Sequence, residues 1–302
     1  MGAAYGDALG AGVEFYSPEK ILQKAGQWPI RSYISGGLGF TAGDITDDTD
    51  QALLMAEALI ENNDLIERND PDQYEAFREA FGNKLVAWRR TANDVGGQTS
   101  QGISAFAQGK QMDPLSTRPS NGAVMRVYPI AIRFYLDPVK LVNFTKIATA
   151  ITHPHPDSVG SALLLNGILA YIFNNKRVAG ITKRSAVVNG IKEIVPLAAA
   201  SGTEVPEMLL ASIMTLSQPA ESTIRAVDCL QLAIANFLGY ETAYDIVSFT
   251  ASFGGDNDTH AAVAGALAGA WFGLDSFPKH WGAELKQYDQ VLETAKRISG
   301  VE

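Results

Sequence analysis

Apolar side chains recur every three or four residues along most of the chain. One such stripe consists of Tyr74, Phe77, Phe81, Leu85 and Trp88, and another of Ile224, Val227, Leu230, Ile234 and Phe237. This spacing places the apolar residues on one face of a helix. No series of alternating apolar and polar residues predicts a strand. The pattern therefore predicts an all-α fold, and we expect the aromatic residues of the first stripe to pack in the core.

The same reading predicts the other main elements. Further helices are expected at residues 1–13, 52–60, 123–135, 139–151 and 158–173, with helix breaks near Pro196, Pro206 and Pro219. Residues 16–44 are rich in Gly, Ser and Pro and are expected to form a loop. Within this loop, Gly36-Gly37-Leu38-Gly39 is either a phosphate-binding turn or a flexible flap.

Composition narrows the classes of protein to which the chain can belong. The 302 residues are 46% hydrophobic, enough for one large domain or two small ones. A net charge of −9 argues against general nucleic-acid binding, which needs a basic face. A single cysteine, Cys229, excludes an intrachain disulfide framework and is expected to be buried. Polar residues interrupt the longest apolar runs, so we expect no membrane span and a cytoplasmic protein.

Two acidic motifs stand directly before apolar helical segments. Gly254-Gly255-Asp256-Asn257-Asp258-Thr259-His260 precedes residues 261–271, and Thr46-Asp47-Asp48-Thr49-Asp50 precedes residues 52–60. Carboxylates and hydroxyls at a helix start can cap the helix. They can also bind a hard cation such as Mg²⁺. Since two such motifs lie about 200 positions apart, we expect them to converge on one site, which favours cation binding.

Three further segments carry polar residues at predicted turns. Asp94-Val95-Gly96 precedes a helix, and Ser120-Asn121-Gly122 opens another, where free backbone amides suit a diphosphate. Arg126 is expected to form a salt bridge at the rim of the core, the alternative being a phosphate ligand. His153-Pro154-His155 could suggest zinc, but no neighbouring cysteine or further histidine supports that interpretation. Asp7 either satisfies backbone amides or belongs to the site.

Six motifs in this order resemble the ADP-ribosylglycohydrolase family. They are Gly6-Asp7-Ala8-Leu9-Gly10-Ala11-Gly12-Val13-Glu14-Phe15, Thr46-Asp47-Asp48-Thr49, Asp94-Val95-Gly96, Ser120-Asn121-Gly122-Ala123-Val124-Met125-Arg126, Thr152-His153-Pro154-His155 and residues 255–269. The resemblance covers nearly the whole chain. It implies a single domain over residues 1–302, folded as a compact multi-helix orthogonal bundle. It also implies a central cleft with two metal ions, usually Mg²⁺ and sometimes Mn²⁺.

The resemblance also implies roles for individual residues. The metal ligands would be Thr46, Asp47, Asp48, Asp256, Asp258 and Thr259. Glu14 or Asp94 would be the acid–base, and the choice between them stays open. The substrate-binding residues would be Gly96, Ser120, Asn121, Gly122 and His153, with His153 near the ribose or the adenine.

The function implied is a metal-dependent hydrolase that removes ADP-ribose from a modified target. ADP-ribosyl-arginine on protein is the expected substrate, because the stretch from Asp94 to Thr99 resembles the bacterial arginine-specific branch. Alternatives are ADP-ribosyl-serine, O-acetyl-ADP-ribose, ADP-ribosylated nucleic acid, or a catalytically inactive relative that binds ADP-ribose. We expect a monomer.

The last motif departs from the family pattern Gly-Asp-Thr-Asp-Thr-Asn at two positions. Asn257 replaces the middle Thr, and His260 replaces the Asn. A helical side chain points about 100° away from that of its predecessor, so His260 should not share the direction of Thr259. Hard cations also favour oxygen ligands over imidazole. We therefore expect His260 to pack or to support the ligands rather than to coordinate a metal.

Overall fold

α-Helices form almost all of the regular secondary structure in the computed structural model, which describes residues 1–36, 39–219 and 222–300. The first eight are α1 (Gly2–Ala11), α2 (Pro18–Ala25), α3 (Asp47–Glu61), α4 (Asn63–Glu67), α5 (Gln73–Trp88), α6 (Gly97–Ala107), α7 (Tyr128–Phe134) and α8 (Pro138–Ala150). The others are α9 (Pro156–Asn175), α10 (Lys183–Ala200), α11 (Glu207–Met214), α12 (Ala226–Gly239), α13 (Ala243–Ala251), α14 (Asn257–Phe272), α15 (Lys279–Glu284) and α16 (Tyr288–Ser299). Short 3-10 helices span Pro114–Ser116, Val124–Arg126 and Leu274–Ser276. These ranges contain no β-strand, and the all-α prediction is confirmed.

Several local predictions are confirmed by the helix bounds. The stripe over residues 74–88 lies on α5, where Phe77, Phe81 and Leu85 are fully buried. Cys229 is buried in α12. The breaks near Pro206 and Pro219 lie on either side of α11. Pro196, in contrast, lies inside α10, so the break predicted there is wrong.

Two predicted elements differ from the structure. The expected loop over residues 16–44 contains α2, which Ser17 caps and which Pro18 opens, because proline is compatible with the first helical turn. The single helix expected over residues 123–135 is broken into the 3-10 helix Val124–Arg126 and α7. Pro129 has no backbone N–H with which to continue a helix from residues 124–126, and it lies instead in the first turn of α7, where that N–H is not needed. Gly37 and Leu38, at the centre of the glycine-rich stretch, lie outside the described residues.

The packing of α1 against α14 positions the ends of both helices. A Cβ atom at Gly6 would lie 1.9 Å from the carbonyl oxygen of Ala261, so only glycine fits there. Gly2 and Gly265 are equally close to each other. Because the two backbones touch along this line, the C-terminal end of α1 lies directly against the N-terminal end of α14.

Buried apolar side chains form one cluster that extends from Ala4 to Ile298. α9 contributes an almost continuous buried stretch to it. By length and composition α9 could also cross a membrane, since an 18-residue window has a mean hydropathy of 1.2, but 83% of that window is buried inside the protein. A buried core helix meets the same criterion.

Candidate functional site

Three helix ends meet at an acidic cluster. Glu14 follows the end of α1, Asp48 lies in the first turn of α3, and Asp256 and Asp258 lie at the start of α14. The hydroxyl of Thr259 donates a hydrogen bond of 3.2 Å to Oδ2 of Asp48. The expected convergence of the two acidic motifs is therefore confirmed.

The carboxylates of this cluster repel one another, and their spacing suits a divalent cation. Glu14, Asp256 and Asp258 each offer one oxygen within 4.8 Å of the other two. Oε2 of Glu14 and Oδ1 of Asp48 are buried and have no hydrogen-bond partner among the described residues. The charges that act on Glu14 come from Asp256, Asp94 and Asp7, all negative. A bound hard cation would be coordinated by these oxygens and would offset the repulsion between the carboxylates.

Burial and mutual repulsion raise the pKa of several carboxyl groups. Burial, together with the negative charges of Asp256 and Asp94, raises the pKa of Glu14 to about 8. The pKa values of Asp48 and Asp258 lie well above the ordinary range, first through burial and then through neighbouring carboxylates. In the absence of a cation the cluster therefore retains protons that a divalent cation would displace.

The hydroxyl of Thr46 lies between the cluster and Asp7. Asp7 accepts hydrogen bonds from the backbone amides of Thr46 and Thr49, each at 3.1 Å, and from Oγ1 of Thr46 at 2.8 Å. Asp7 thus satisfies backbone amides at the start of α3, one of the two roles expected for it. Oγ1 of Thr46 donates its single proton to Asp7 and accepts from the amide of Asp48 at 3.4 Å, so one lone pair of this oxygen remains to contact a cation.

Asp47 and Asp94 lie in a polar cleft of about 320 Å³ next to the cluster. Asp94 precedes α6, whose N-cap is the exposed Gly96. Burial, and then the charge of Asp256, raises the pKa of Asp94. Asp94 is not among the three carboxylates that lie within 4.8 Å of one another. The structure therefore places Glu14 at the cluster and Asp94 at its edge.

The Ser120-Asn121-Gly122 segment joins the cluster through a side chain. Nδ2 of Asn121 donates a hydrogen bond of 2.7 Å to Oδ2 of Asp256. The expectation of free backbone amides is wrong for Asn121, whose N–H donates to the carbonyl of Ile224 at 2.9 Å. Within the described residues, the amide of Gly122 has no such partner. Oγ of Ser120 is likewise buried without a partner in that part of the chain.

His153 lies over Gly122, and a Cβ atom at Gly122 would lie 2.8 Å from Nε2 of its ring. His155 instead caps α9, where its Nδ1 accepts from the amide of Asp157 at 3.1 Å. The two histidines therefore have separate roles. The expected salt bridge of Arg126 is wrong for the described residues: this arginine is fully buried and bonds to Gln51, Thr152 and the carbonyl of Ala148.

His260 faces away from the carboxylates. Its Nε2 lies 3.2 Å from the carbonyl oxygen of Thr223, and its Nδ1 lies 3.2 Å from Oγ of Ser222. Because a carbonyl only accepts, Nε2 carries the proton and Nδ1 accepts from the serine. The neighbouring Asn257 joins two segments, accepting from the amide of Gly254 at 2.9 Å and donating to the carbonyl of Val13 at 2.7 Å.

An aromatic cleft of about 800 Å³ opens beside Glu14, and the sequence patterns did not indicate it. Aromatic residues that line it are Phe15, Tyr16, Trp28, Tyr240, Phe249 and Phe253. Phe15 is 61% exposed and has a φ of +57°, an uncommon conformation for a residue other than glycine. Its amide donates to the carbonyl of Gly255 at 2.7 Å. Gly255 lines the cleft and directly precedes Asp256, so the cleft adjoins the acidic cluster.

Comparisons with known proteins show which family and which fold the chain matches. The family model described as ADP-ribosylglycohydrolase matches residues 1–302. The ADP-ribosyl-[dinitrogen reductase] glycohydrolase of Rhodospirillum rubrum is 29% identical over 291 residues, covering 94% of this chain and 88% of that protein. The ADP-ribosylarginine hydrolase Tri1 of Serratia proteamaculans is 25% identical over 314 residues, covering 99% and 77%. A solved structure titled "ADP-ribosylglycohydrolase-related protein complex" has the same fold, with a TM-score of 0.75 at 24% identity over 99% of this chain and 94% of that one.

Proposed function

The chain belongs to the ADP-ribosylglycohydrolase family, and from this premise we propose that it releases ADP-ribose from ADP-ribosyl-arginine on proteins with the help of two bound Mg²⁺ ions. Removal of ADP-ribose from a modified substrate is the activity of the family to which the comparisons assign it. The residue that carries the modification and the identity of the cation are our own proposal, with Mn²⁺ as a second possible ion. Residues 1–302 as a single domain, a monomeric state and a cytoplasmic location belong to the same proposal.

The acidic cluster is the observation that carries this proposal. Three carboxylates from two helix ends lie within 4.8 Å of one another, and buried oxygens around them lack partners in the described residues. The residues that would hold the cations are Thr46, Asp47, Asp48, Asp256, Asp258 and Thr259. When bound, such cations polarise water and bind sugar hydroxyls.

The protein's own groups provide the rest of the chemistry. Hydrolysis breaks the bond between the anomeric carbon and the arginine nitrogen, joins a water oxygen to that carbon and returns a proton to the leaving nitrogen. Glu14 can take the proton of the water and return it, because its carboxyl lies at the cluster and has a buried oxygen without a partner in the described residues. Asn121 holds Asp256 in place through its 2.7 Å hydrogen bond.

The aromatic cleft supports arginine as the modified residue. The faces of aromatic rings attract cations. Two rings that line the cleft already contact cationic side chains of the protein itself. Nζ of Lys20 lies 3.5 Å from the centre of the Tyr16 ring, and the guanidinium of Arg31 lies 5.7 Å from the centre of the Phe249 ring. A guanidinium leaving group beside Glu14 would meet the same faces. Relatives named as acting on ADP-ribosylarginine give independent support.

The test is to measure release of free ADP-ribose from four substrates, each with and without Mg²⁺ or Mn²⁺. The substrates are ADP-ribosyl-arginine peptide, ADP-ribosyl-serine peptide, O-acetyl-ADP-ribose and ADP-ribosylated DNA. We expect cation-dependent release, fastest from the arginine peptide. Faster release from another substrate would replace arginine in the proposal. Binding of ADP-ribose without release from any substrate would identify an inactive relative.

A further inference from the structure

A fully buried arginine links the two halves of the site. Arg126 has no exposed surface, and its guanidinium centre lies 5.4 Å from the centre of the Phe81 ring. It forms no salt bridge in the part of the chain that the structure describes; its Nη1 donates to Oε1 of Gln51 and its Nη2 to Oγ1 of Thr152 at 2.5 Å. Its Nε is buried without a hydrogen-bond partner among the described residues. The bonds from Nη1 and Nη2 are therefore the ones that hold the buried guanidinium in one orientation.

The first arm of this network determines the protonation of His153. Arginine only donates, so Thr152 accepts from Arg126 and retains one hydroxyl proton to donate. The Nδ1 atom of His153 lies 2.7 Å from Oγ1 of Thr152. If Nδ1 carried the ring proton, the threonine hydroxyl would have no acceptor in the described residues. Nδ1 therefore accepts, and the ring proton resides on Nε2, the atom that lies over Gly122.

The second arm leads to the acidic side of the site. Because Arg126 only donates, the oxygen of the Gln51 amide must face it, and the nitrogen must face the other way. That nitrogen donates a hydrogen bond of 2.6 Å to Oδ2 of Asp47. The direction of every bond from Asp47 to His153 thus follows from the single fact that the guanidinium cannot accept.

We propose that Arg126, Gln51 and Thr152 are positioning residues that hold His153 as an Nε2–H donor toward the ADP-ribose and align the Asp47 carboxylate at the other end. The inference rests on the proposed function and on the expectation, implied by the family resemblance, that His153 binds the ADP-ribose. A fixed Nε2–H would donate to an oxygen or nitrogen of the ligand above Gly122. Lysine cannot replace Arg126 in this role, since a single ammonium group cannot donate to both Gln51 and Thr152 with the planar geometry of the guanidinium.

The first measurement is the tautomer of His153, which needs neither substrate nor cation. The chain has four histidines, so ring nitrogen NMR signals of the ¹⁵N-histidine-labelled protein can be assigned with a His153→Gln variant. We expect a protonated Nε2 and an unprotonated, hydrogen-bonded Nδ1. Thr152→Val should shift the Nδ1 signal, Thr152→Ser should restore it, and the signals of His260 should stay unchanged in both.

The second measurement is the affinity for free ADP-ribose, determined by calorimetry. Thr152→Val should weaken binding about tenfold, the equivalent of one well-formed hydrogen bond, and raise KM more than it lowers kcat. Thr152→Ser should bind as the parent does. Gln51→Met is the matched variant for the other arm: it should weaken Mg²⁺ binding and leave the Nδ1 signal of His153 in place.

Two results would overturn the proposal that Arg126 and Thr152 position His153. One is a parent protein in which Nδ1 of His153 is protonated. The other is a folded Thr152→Val variant with parental ring signals or parental ADP-ribose affinity. If the parent itself binds no ADP-ribose, the proposed function fails, whereas the tautomer measurement still decides whether Arg126 and Thr152 set the protonation of His153.

Discussion

A Cβ atom on Gly10 would lie 2.4 Å from the Cα atom of Asp258, so α1 and α14 touch backbone to backbone at the acidic cluster. Helix axes usually stand 8–10 Å apart because side chains separate them. Here glycine removes the side chain on one helix. The contact therefore sets the distance between the end of α1, which Glu14 follows, and the first turn of α14, which carries Asp258.

Gly10→Ala should damage both stability and activity. The added methyl group meets backbone atoms, which cannot rotate away, so we expect a loss of about 3 kcal/mol in the free energy of unfolding, at the upper end of overpacking effects. ADP-ribose release should fall at least tenfold. Gly239→Ala is the control: it lies in α12 with open space around it, and it should be neutral or slightly stabilising. Equal denaturation curves for the two variants would contradict the close contact.

Asp256→Ala should separate cation binding from a purely structural role of this carboxylate, which forms no capping hydrogen bond to α14 in the described residues. The parent should melt at a higher temperature in saturating Mg²⁺, since a ligand that binds only the folded state stabilises it. The variant should lose that increase together with turnover. Asp289→Ala, which removes an exposed carboxylate from the first turn of α16, should retain both. If Asp256→Ala responds to Mg²⁺ as the parent does, the Asp256 carboxylate does not bind the cation and serves only as the partner of Asn121.

The stability of the cation-free protein should depend on pH through Glu14. Its pKa is about 8 in the folded protein against an ordinary value of 4.5, so the folded state binds more protons than the unfolded state between these values. Stability contributed by this group is present below pH 4.5 and is lost as the pH rises through 8. The melting temperature of Glu14→Gln minus that of the parent should therefore increase from pH 5 to pH 8. A flat difference would show that Glu14 titrates normally.

Residues that signal their role locally were predictable, and residues whose role depends on distant contacts were not. The α5 stripe and the acidic helix starts carry their signals within a few positions, and the occurrence of two such starts predicted that they meet. Gln51 is a different case. It directly precedes the helix expected at residues 52–60, but its bond to Arg126 joins it to a segment 75 positions away. That bond orients the amide, so its hydrogen bond to Asp47 four positions away was not predictable either. The aromatic cleft likewise joins residues near 15–28 with residues near 240–253, which no periodicity encodes.

Glu14→Gln and Asp94→Asn should differ in their effect on turnover. Glu14 lies among the clustered carboxylates with a buried oxygen that has no partner in the described residues, whereas Asp94 lies at the edge of the cluster. We expect Glu14→Gln to lower kcat by about 10²–10⁴, the range of general acid–base catalysis. Asp94→Asn should mainly raise KM. Steady-state kinetics at saturating Mg²⁺ decide this, and a larger kcat loss in Asp94→Asn would exchange the two roles.

His260→Asn should cost stability more than activity. His260 is fully buried and bonds to Ser222 and Thr223, and the shorter asparagine cannot reach both partners. We expect a loss of about 1–3 kcal/mol in the free energy of unfolding. Turnover should stay within roughly tenfold of the parent, the lower range for residues that act behind metal ligands.

Ser222→Ala is the matched control for the histidine, because it removes only the bond to Nδ1 and leaves the bond from Nε2 to Thr223. It should cost less stability than His260→Asn and as little activity. Denaturation curves and kinetics with Mg²⁺ and with Mn²⁺ provide the comparison. The ring of His260 bonds to residues 222 and 223 and not to the carboxylates. If His260→Asn nevertheless lost as much turnover as Asp258→Ala, His260 would act on the reaction itself, and the packing role would be wrong.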